Sequence, residues 1–261
     1  MHGALHVART GLSAQDTNLK VISNNLANVS TVGFKKDRAV FEDLLYQIRR
    51  QPGAASSEES QLPSGLQVGN GVRTVGTQKM FTEGDLQVTE QAFDVAINGR
   101  GFFQILKPDG QTAYTRNGEF GIDAEGRMVT SEGFPLQPEI VLPDNVTSVT
   151  IGNDGTVSAI VAEDANPVNL GVIEIADFTN PQGLMAIGQN LFLETASSGA
   201  PVIGVPGLDS NGILQQGMLE GSNVNAVEEL VEMITTQRAY EINSKVISTA
   251  DQMLSFVTQQ I

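Results

Sequence analysis

The chain has 261 residues, 40% of them apolar, which is enough to build the hydrophobic core of one large domain or two modest ones. It contains no Cys, and this excludes a disulfide framework, a thiolate metal site and a cysteine nucleophile. The formal net charge is −15, and no Lys or Arg lies between Arg127 and Arg238. A nucleic-acid partner is therefore not expected, because a phosphate-binding face needs clustered basic residues.

The N-terminal segment carries an apolar repeat of seven residues. The repeat consists of Leu5, Leu12, Leu19 and Leu26, with Ala8, Gln15 and Ile22 at the companion position. This narrow stripe predicts a helix from Gly3 to about Asn28 that packs against another helix. An amphipathic helix packed on its own β domain shows a similar stripe, so the pattern alone leaves both alternatives open.

The same segment has no basic region followed by an unbroken apolar run, so we expect no cleaved signal peptide and no membrane insertion. The two histidines, His2 and His6, lie in the first six residues, where a metal-bound or catalytic geometry is difficult to hold.

After the first helix, a polar stretch rich in Asn, Ser and Thr ends near Gly33, since these side chains compete for backbone hydrogen bonds. The spacing of Val40, Phe41, Leu44, Leu45 and Ile48 predicts a second short helix. We interpret the basic run that precedes it, Lys35 to Arg38, as a solvated face. The residues from Gln51 to Gly71 lack periodicity and predict a long loop or extended arm.

From Arg73 to about Gly221 the pattern is that of a β domain. Alternating stretches such as Asp94–Ile97, Phe102–Ile105 and Val157–Ile160 predict strands. Turns with positive φ at Gly or Asn are predicted at Lys107–Gly110, Arg116–Gly118, Asp123–Gly126 and Gly152–Gly155.

The C-terminal segment predicts a second long helix. Asn225 and Glu228 form an N-cap with a capping glutamate, and apolar periodicity then continues to Ile261. The seven-residue repeat is formed by Met233, Tyr240, Ile247 and Leu254, with Leu230, Gln237, Ser244 and Asp251 at the companion positions. Ile234 adds to the apolar surface. Because several companion residues are polar, this helix is expected to contact more than one partner helix.

No motif for catalysis, cofactor binding or metal binding stands out. A nucleophile elbow, a Walker loop and a zinc-binding HExxH are all absent from the sequence, and the Gly69–Gly71 and Gly99–Gly101 pairs lack the rest of a dinucleotide loop. We therefore expect no enzyme, no catalytic residue, no cofactor and no metal. A hydrolase with paired carboxylates and a self-contained binding module remain the competing classes.

Three segments resemble the rod and hook subunits of the bacterial flagellar axial proteins. The resemblance is carried by Ile22–Lys35 (ISNNLANVSTVGFK), Ser222–Lys245 and Asp94–Phe103. The family motif comprises Asn24, Asn25, Leu26, Asn28, Ser30, Thr31, Gly33 and Phe34. Within the family, the chain length and the segment Tyr46–Pro63 most resemble the distal rod subunits, with a proximal rod or hook subunit as the alternative.

The resemblance implies an α+β fold with three parts. Discontinuous terminal helices, residues 1–34 plus 222–261, form a coiled-coil polymerisation domain. Residues 35–72 form a short helix and extended arm, and residues 73–221 form an outer, mainly antiparallel β domain. The residues expected to mediate assembly are Leu5, Leu12, Leu19, Ile22, Leu26, Leu230, Met233, Ile234, Tyr240, Ile247 and Leu254.

The resemblance also implies a function. The subunit would self-assemble into a stiff hollow drive shaft of the basal body that spans the periplasm, carries torque from motor to hook and encloses the export channel. Its partners would be further copies, proximal rod subunits, hook or hook-junction subunits, the rod cap, surrounding ring proteins and the export apparatus. The arm, through Tyr46, Arg49, Arg50, Pro52 and Pro63, would confer stiffness.

Overall fold

The computed structural model describes residues 2–51, 55–57, 60–61, 64–143, 145–162, 164–208 and 211–259. The fold is α+β, with mainly antiparallel strands between an N-terminal and a C-terminal helix, as the sequence predicts. The chain forms two compact units that are interleaved in sequence. Unit 1 comprises Met1–Ala27, Asp37–Gln78 and Asn225–Ile261, and unit 2 comprises Asn28–Lys36 and Lys79–Val224.

Unit 1 contains the two long helices, α1 (His2–Ala27) and α2 (Ala226–Gln259), which pack against each other. The predicted N-cap of α2 is confirmed. The side-chain oxygen of Asn225 accepts hydrogen bonds from the backbone N–H groups of Val227 at 3.0 Å and Glu228 at 3.5 Å. These bonds satisfy two of the donors that a helix leaves free at its N-terminus.

The rest of unit 1 is built from three pairs of short strands. The strands are β1 (Asp37–Asp43), β2 (Gln47–Arg50), β3 (Ala55–Ser57), β4 (Ser60–Gln61), β5 (Leu66–Val68) and β6 (Val72–Lys79). β1 pairs with β6, β2 with β5, and β3 with β4. The pairs are nested in sequence, so the chain runs out along β1 to β3 and returns along β4 to β6. We call residues 37–79 the ribbon.

The short helix predicted from Val40 to Ile48 is wrong, because these residues lie in β1, in β2 and in the connection between them. The backbone N–H of Leu44 donates to the carbonyl of Gly71 at 2.9 Å, and the Asn70 side chain donates to the carbonyl of Leu45 at 2.6 Å. Pairing with a segment more than twenty residues later therefore overrides the local apolar spacing.

Unit 2 contains the remaining strands. They are β7 (Leu86–Val88), β8 (Val95–Asn98), β9 (Phe102–Leu106), β10 (Thr112–Thr115), β11 (Phe120–Ile122), β12 (Met128–Thr130), β13 (Leu136–Gln137), β14 (Val146–Ile151), β15 (Thr156–Val161), β16 (Asp164–Val172), β17 (Ile175–Asp177), β18 (Met185–Gly188), β19 (Leu191–Leu193), β20 (Val202–Gly204), β21 (Ile213–Gln216) and β22 (Met218–Glu220). A 3-10 turn, Pro181–Gly183, precedes β18.

The largest sheet of unit 2 runs in the order β18-β19-β10-β9-β17-β20, with β13 also paired to β9. A three-stranded sheet, β14-β15-β16, and the pairs β11-β12, β21-β8 and β22-β7 complete the unit. All of these pairings are antiparallel. The strands predicted at Asp94–Ile97, Phe102–Ile105 and Val157–Ile160 are confirmed as β8, β9 and β15.

Two apolar clusters form the core of unit 2. The larger is built around Phe103, Ile105 and Leu214, and the smaller around Phe102 and Phe178. Aromatic rings in the smaller cluster meet edge to face, for example Tyr114 and Phe178 with centroids 4.8 Å apart.

Three predicted turns of unit 2 have glycines at positive φ, namely Gly110, Gly126 and Gly155. The fourth prediction is wrong, because neither Asn117 nor Gly118 has positive φ. A Cβ on Gly118 would instead overlap the carbonyl oxygen of Val95, so close backbone approach excludes a side chain there.

Candidate assembly surfaces and the motif loop

The motif begins at the end of α1, where Asn25 is buried in unit 1. Its side-chain amide donates to the carbonyl of Asp37 at 2.9 Å, and its side-chain oxygen accepts from the backbone N–H of Asp37 at 2.9 Å. The same amide also donates to Oε2 of Glu229 at 3.2 Å. Asn25 therefore joins the end of α1, the start of the ribbon and the first turn of α2.

The next part of the motif, Asn28 to Phe34, belongs to unit 2 and forms a tight loop. The hydroxyl of Thr31 donates to the side-chain oxygen of Asn28 at 3.2 Å, and the backbone N–H of Phe34 donates to the carbonyl of Thr31 at 3.3 Å. Gly33 has a φ of +68°, and a Cβ at this position would lie 2.6 Å from the backbone nitrogen of Asn117. The loop thus requires glycine both for its conformation and for space.

A buried ion cluster follows directly after the motif. Nζ of Lys35 lies 2.5 Å from Oε1 of Glu220, and Nη1 of Arg116 lies 3.4 Å from Oε2 of the same carboxylate. The Lys35 side chain is 0% exposed and the Glu220 side chain 1% exposed. The prediction that Lys35 lies on a solvated face is therefore wrong.

Backbone groups provide further hydrogen bonds to this cluster, although Nε of Arg116 is buried without a hydrogen-bond partner among the described residues. Lys35 donates to the carbonyl of Thr82 at 2.7 Å, the N–H of Gly84 donates to Oε1 of Glu220 at 3.0 Å, and Arg116 donates to the carbonyl of Gly99 at 2.7 Å. Burial lowers the pKa of Lys35 below its ordinary value and does the same for the pKa of Arg116, while the Glu220 carboxylate opposes both shifts. The cluster joins the motif loop to β22, the last strand before α2.

Asn223 makes a second connection between the same parts of unit 2. Its side-chain oxygen accepts from the backbone N–H of Lys36 at 2.8 Å, and its amide donates to the carbonyl of Met80 at 2.8 Å and to the hydroxyl of Thr82 at 2.9 Å. One amide side chain therefore holds together three segments that are remote in sequence.

The contacts between α1 and α2 in unit 1 repeat every seven residues in opposite directions along the two helices. Asn25 contacts Glu229 at 3.2 Å, and Asn18 contacts Thr236 at 3.2 Å. A Cβ on Gly11 would lie 3.1 Å from Nδ2 of Asn243. The helices are therefore antiparallel, and small and polar residues take part in the contact between them.

The leucine repeat of α1 lies beside these residues in sequence. Leu5, Leu12, Leu19 and Leu26 are half-buried, and Ile22 beside them is buried. On α2, Met233 and Ile247 are half-buried towards α1, whereas Leu230, Ile234 and Tyr240 are exposed. The side chain of Leu254 lies outside the described side chains.

The opposite side of α2 presents an exposed apolar stripe. It consists of Val227, Leu230, Val231, Ile234, Ile242, Val246, Met253 and Phe256. Val227 is 69% exposed and Phe256 is 62% exposed, so the stripe extends over most of the helix. The exposed residues Arg238 and Glu241 lie between Ile234 and Ile242, so the stripe has two apolar parts. Exposed apolar surfaces of this kind indicate a binding site for another helix or protein surface.

The ribbon also exposes apolar side chains. Leu45 is 89% exposed and Ile48 is 62% exposed, and Tyr46, Leu66 and Val68 are exposed beside them. Arg49 and Arg50 lie in β2 and are exposed as well. Pro52 and Pro63 lie outside the described residues, so the structure does not place them.

The other motif residues differ in their exposure. Asn24 and Ser30 are exposed, Asn28 and Thr31 are half-buried, and Phe34 is buried with Nζ of Lys79 5.2 Å from its ring centroid. Sequence reasoning missed Glu220, Arg116 and Asn223 as partners of the motif loop. No local pattern marks them, because their partners are up to 187 residues away in sequence.

No helix among the described residues is long and apolar enough to cross a membrane. Nor do the described His, Asp and Glu side chains form a group of three or more that could hold a metal ion.

Three family models match separate parts of the chain. Residues 5–35 match the flagella basal body rod protein model, residues 96–159 match the flagellar hook protein FlgE/F/G D1 domain, and residues 215–260 match the flagellar basal body rod FlgEFG protein C-terminal model. The first and third include α1 with the motif and most of α2. The class of protein is thus a flagellar axial structural protein, not an enzyme.

Relatives that match almost the whole chain identify the family within this class. The chain is 54% identical to the flagellar basal-body rod protein FlgG of Buchnera aphidicola subsp. Acyrthosiphon pisum, with 98% of each chain covered. It is 50% identical to FlgG of Borreliella burgdorferi over 97% of each chain, and 48% identical to FlgG of Caulobacter vibrioides over 98%. The chain belongs to the FlgG family of flagellar basal-body rod proteins and is a structural subunit of the rod.

Proposed function

We propose that copies of this chain polymerise into the distal rod, a stiff hollow shaft that carries torque from motor to hook and encloses the export channel. The observation that carries this proposal is the exposed apolar stripe of α2, opposite the side that contacts α1. Each apolar side chain that leaves water contributes about 1.5 to 3 kcal/mol when fully buried. Packing of the stripe against neighbouring subunits would therefore favour assembly strongly.

The polymerisation domain in this proposal comprises α1 and α2. Residues 28–34 and 222–224, which the sequence suggested as part of it, have their contacts in unit 2. Polar contacts such as Asn18 with Thr236 fix the pairing of α1 and α2, and the apolar stripe remains available for other subunits. Contacts with proximal rod subunits, the hook or its junction, the cap, the ring proteins and the export apparatus belong to the same proposal.

Two paired substitutions on α2 test this function. Ile234→Asp/Ile242→Asp places two charges in the stripe and is expected to abolish polymers seen by electron microscopy, because burying an unpaired charge is strongly unfavourable. Gln237→Asp/Ser244→Asp makes the same charge change at exposed positions outside the stripe and is the matched control. Normal polymers from the first variant would contradict the proposal, provided that far-UV circular dichroism shows an unchanged helix content.

We further propose that the ribbon provides bending stiffness, since an extra contact between stacked subunits resists the length changes that curvature requires. The nested strand pairs define the appropriate deletion. Removing residues 47–68 takes out β2 to β5 together, whereas removing Tyr46–Pro63 alone would leave β5 without its partner. The deletion is expected to give curved polymers, and straight polymers of unchanged bending stiffness would reject this role.

A further inference from the structure

Two exposed surfaces of unit 1 combine apolar side chains with opposite charge. We call the first the ribbon stem, residues 44–51 and 64–72, which contains β2 and β5. We call the second the acidic face, residues 227–234 at the start of α2. The ribbon stem contains Arg49 and Arg50 and no Asp or Glu. The acidic face contains three Glu and no Lys or Arg.

The acidic face is built from the first part of the α2 stripe. Val227, Val231 and Ile234 are each at least half exposed, and the exposed residues Glu228 and Glu232 lie one helical turn apart along one edge of the stripe. Glu229 is not part of this surface, because it is buried against Asn25. The face therefore presents an apolar strip bordered by two carboxylates.

The ribbon stem presents the complementary pattern. Leu45, Ile48 and Leu66 are each more than half exposed, and Arg49 and Arg50 project from the same pair of strands. Among the described residues, neither these arginines nor Glu228 and Glu232 take part in an ion pair. Both surfaces are thus open within one chain, and neither covers the other.

We propose that the ribbon stem of one copy docks on the acidic face of the next copy in the rod. This inference rests on the proposed self-assembly and identifies which two surfaces meet. The partner is a second copy because each chain carries one surface of each kind. A contact between two different patches propagates from copy to copy, as a filament requires. Apolar contact would contribute affinity, and the paired charges would fix orientation and suppress incorrect pairings.

Charge exchange in the full-length chain tests this docking. Arg49→Glu/Arg50→Glu places two carboxylates opposite the acidic face, and Glu228→Lys/Glu232→Lys places two ammonium groups opposite the ribbon stem. Each variant is expected to raise the critical concentration for polymerisation roughly tenfold or more, because facing like charges repel. The variant with all four substitutions is expected to recover to within about threefold of the wild type.

The control is Glu119→Lys/Glu194→Lys, which makes the same charge change at exposed positions of unit 2 and is expected to polymerise normally. Sedimentation of polymer from soluble chain measures the critical concentration, and circular dichroism of the soluble fraction checks folding. Unimpaired assembly of both two-site variants, impairment of only one of them, or failure of the four-site variant to recover would each overturn the docking. Because polymerisation of the wild type tests self-assembly by itself, these outcomes leave the proposed function intact.

Discussion

Lys35 and Glu220 are 185 residues apart in sequence, and their charged groups lie 2.5 Å apart in the buried part of unit 2. The pair connects the loop that follows α1 to the strand that precedes α2. Both segments lead into the proposed polymerisation helices. A buried ion pair therefore joins the two ends of the β domain.

Loss of one partner of this pair should lower the stability of unit 2. Lys35→Met leaves Glu220 with a buried charge that Arg116 alone offsets, and we expect unit 2 to lose about 3 to 5 kcal/mol of its free energy of unfolding. The control is Lys107→Met, which breaks the more exposed pair with Asp109 and should cost less than about 1 kcal/mol. Urea unfolding measures both.

The signal of Tyr114 reports the unfolding of unit 2 in this experiment. The other two tyrosines, Tyr46 and Tyr240, belong to unit 1 and can be replaced by Phe. Equal losses of unfolding free energy from Lys35→Met and Lys107→Met would show that the buried pair contributes no more to stability than the more exposed pair.

Gly33 should not tolerate alanine. A Cβ there meets the backbone nitrogen of Asn117 in a conformation with positive φ, so strain and overlap add. Gly110→Ala is the matched control, since Gly110 also has positive φ but has no atom within 4 Å of an added Cβ. We expect Gly110→Ala to cost about 1 kcal/mol and Gly33→Ala at least twice as much. Thermal unfolding compares them, and similar shifts in Tm would contradict the steric argument.

Asn25→Ala tests the junction between α1, the ribbon and α2. The substitution leaves the backbone N–H and carbonyl of Asp37 without their side-chain partner, and we expect a loss of roughly 2 to 4 kcal/mol. Ser23→Ala, two residues earlier on the exposed side of α1, should change stability by less than about 0.5 kcal/mol. The unfolding transition followed by helical circular dichroism is the measurement. An Asn25→Ala variant as stable as Ser23→Ala would exclude this bridging role.

The turn between β14 and β15 should make stability depend on acid pH. The backbone N–H of Thr156 donates to Oδ1 of Asp154 at 3.1 Å and its hydroxyl to Oδ2 at 2.9 Å, and these bonds lower the pKa of Asp154. A carboxylate whose pKa is lower in the folded state stabilises the fold above the unfolded pKa. This stabilisation disappears as the pH falls through the folded pKa.

Asp154→Asn should therefore lower Tm at neutral pH, and this effect should become smaller at acid pH as the folded-state carboxylate is protonated. Glu132→Gln, which neutralises another exposed carboxylate, is the control. If the effect of Asp154→Asn on Tm were the same at both pH values, the hydrogen bonds to Thr156 would not be its cause.

Sequence alone identified what depends on local chemistry. The seven-residue repeats and the Asn225 cap predicted α1 and α2, and glycine positions predicted the turns at Gly110, Gly126 and Gly155, because helix periodicity, capping and positive φ are properties of neighbouring residues. The motif around Asn25 and Gly33 indicated the family for the same reason. Neither observation required knowledge of distant contacts.

Tertiary structure decided the features that depend on pairing over long distances. The apolar spacing from Val40 to Ile48 suits a helix, but strands β5 and β6 supply partners that make it part of a ribbon. Lys35 follows a polar loop and resembles a surface residue, yet Glu220 and Arg116 allow it to be buried. The leucine repeat predicted packing of α1 against another helix, and the structure adds Gly11, Asn18 and Asn25 as residues that contact α2. The sequence did not indicate them, because contact geometry between two helices is fixed by both surfaces together.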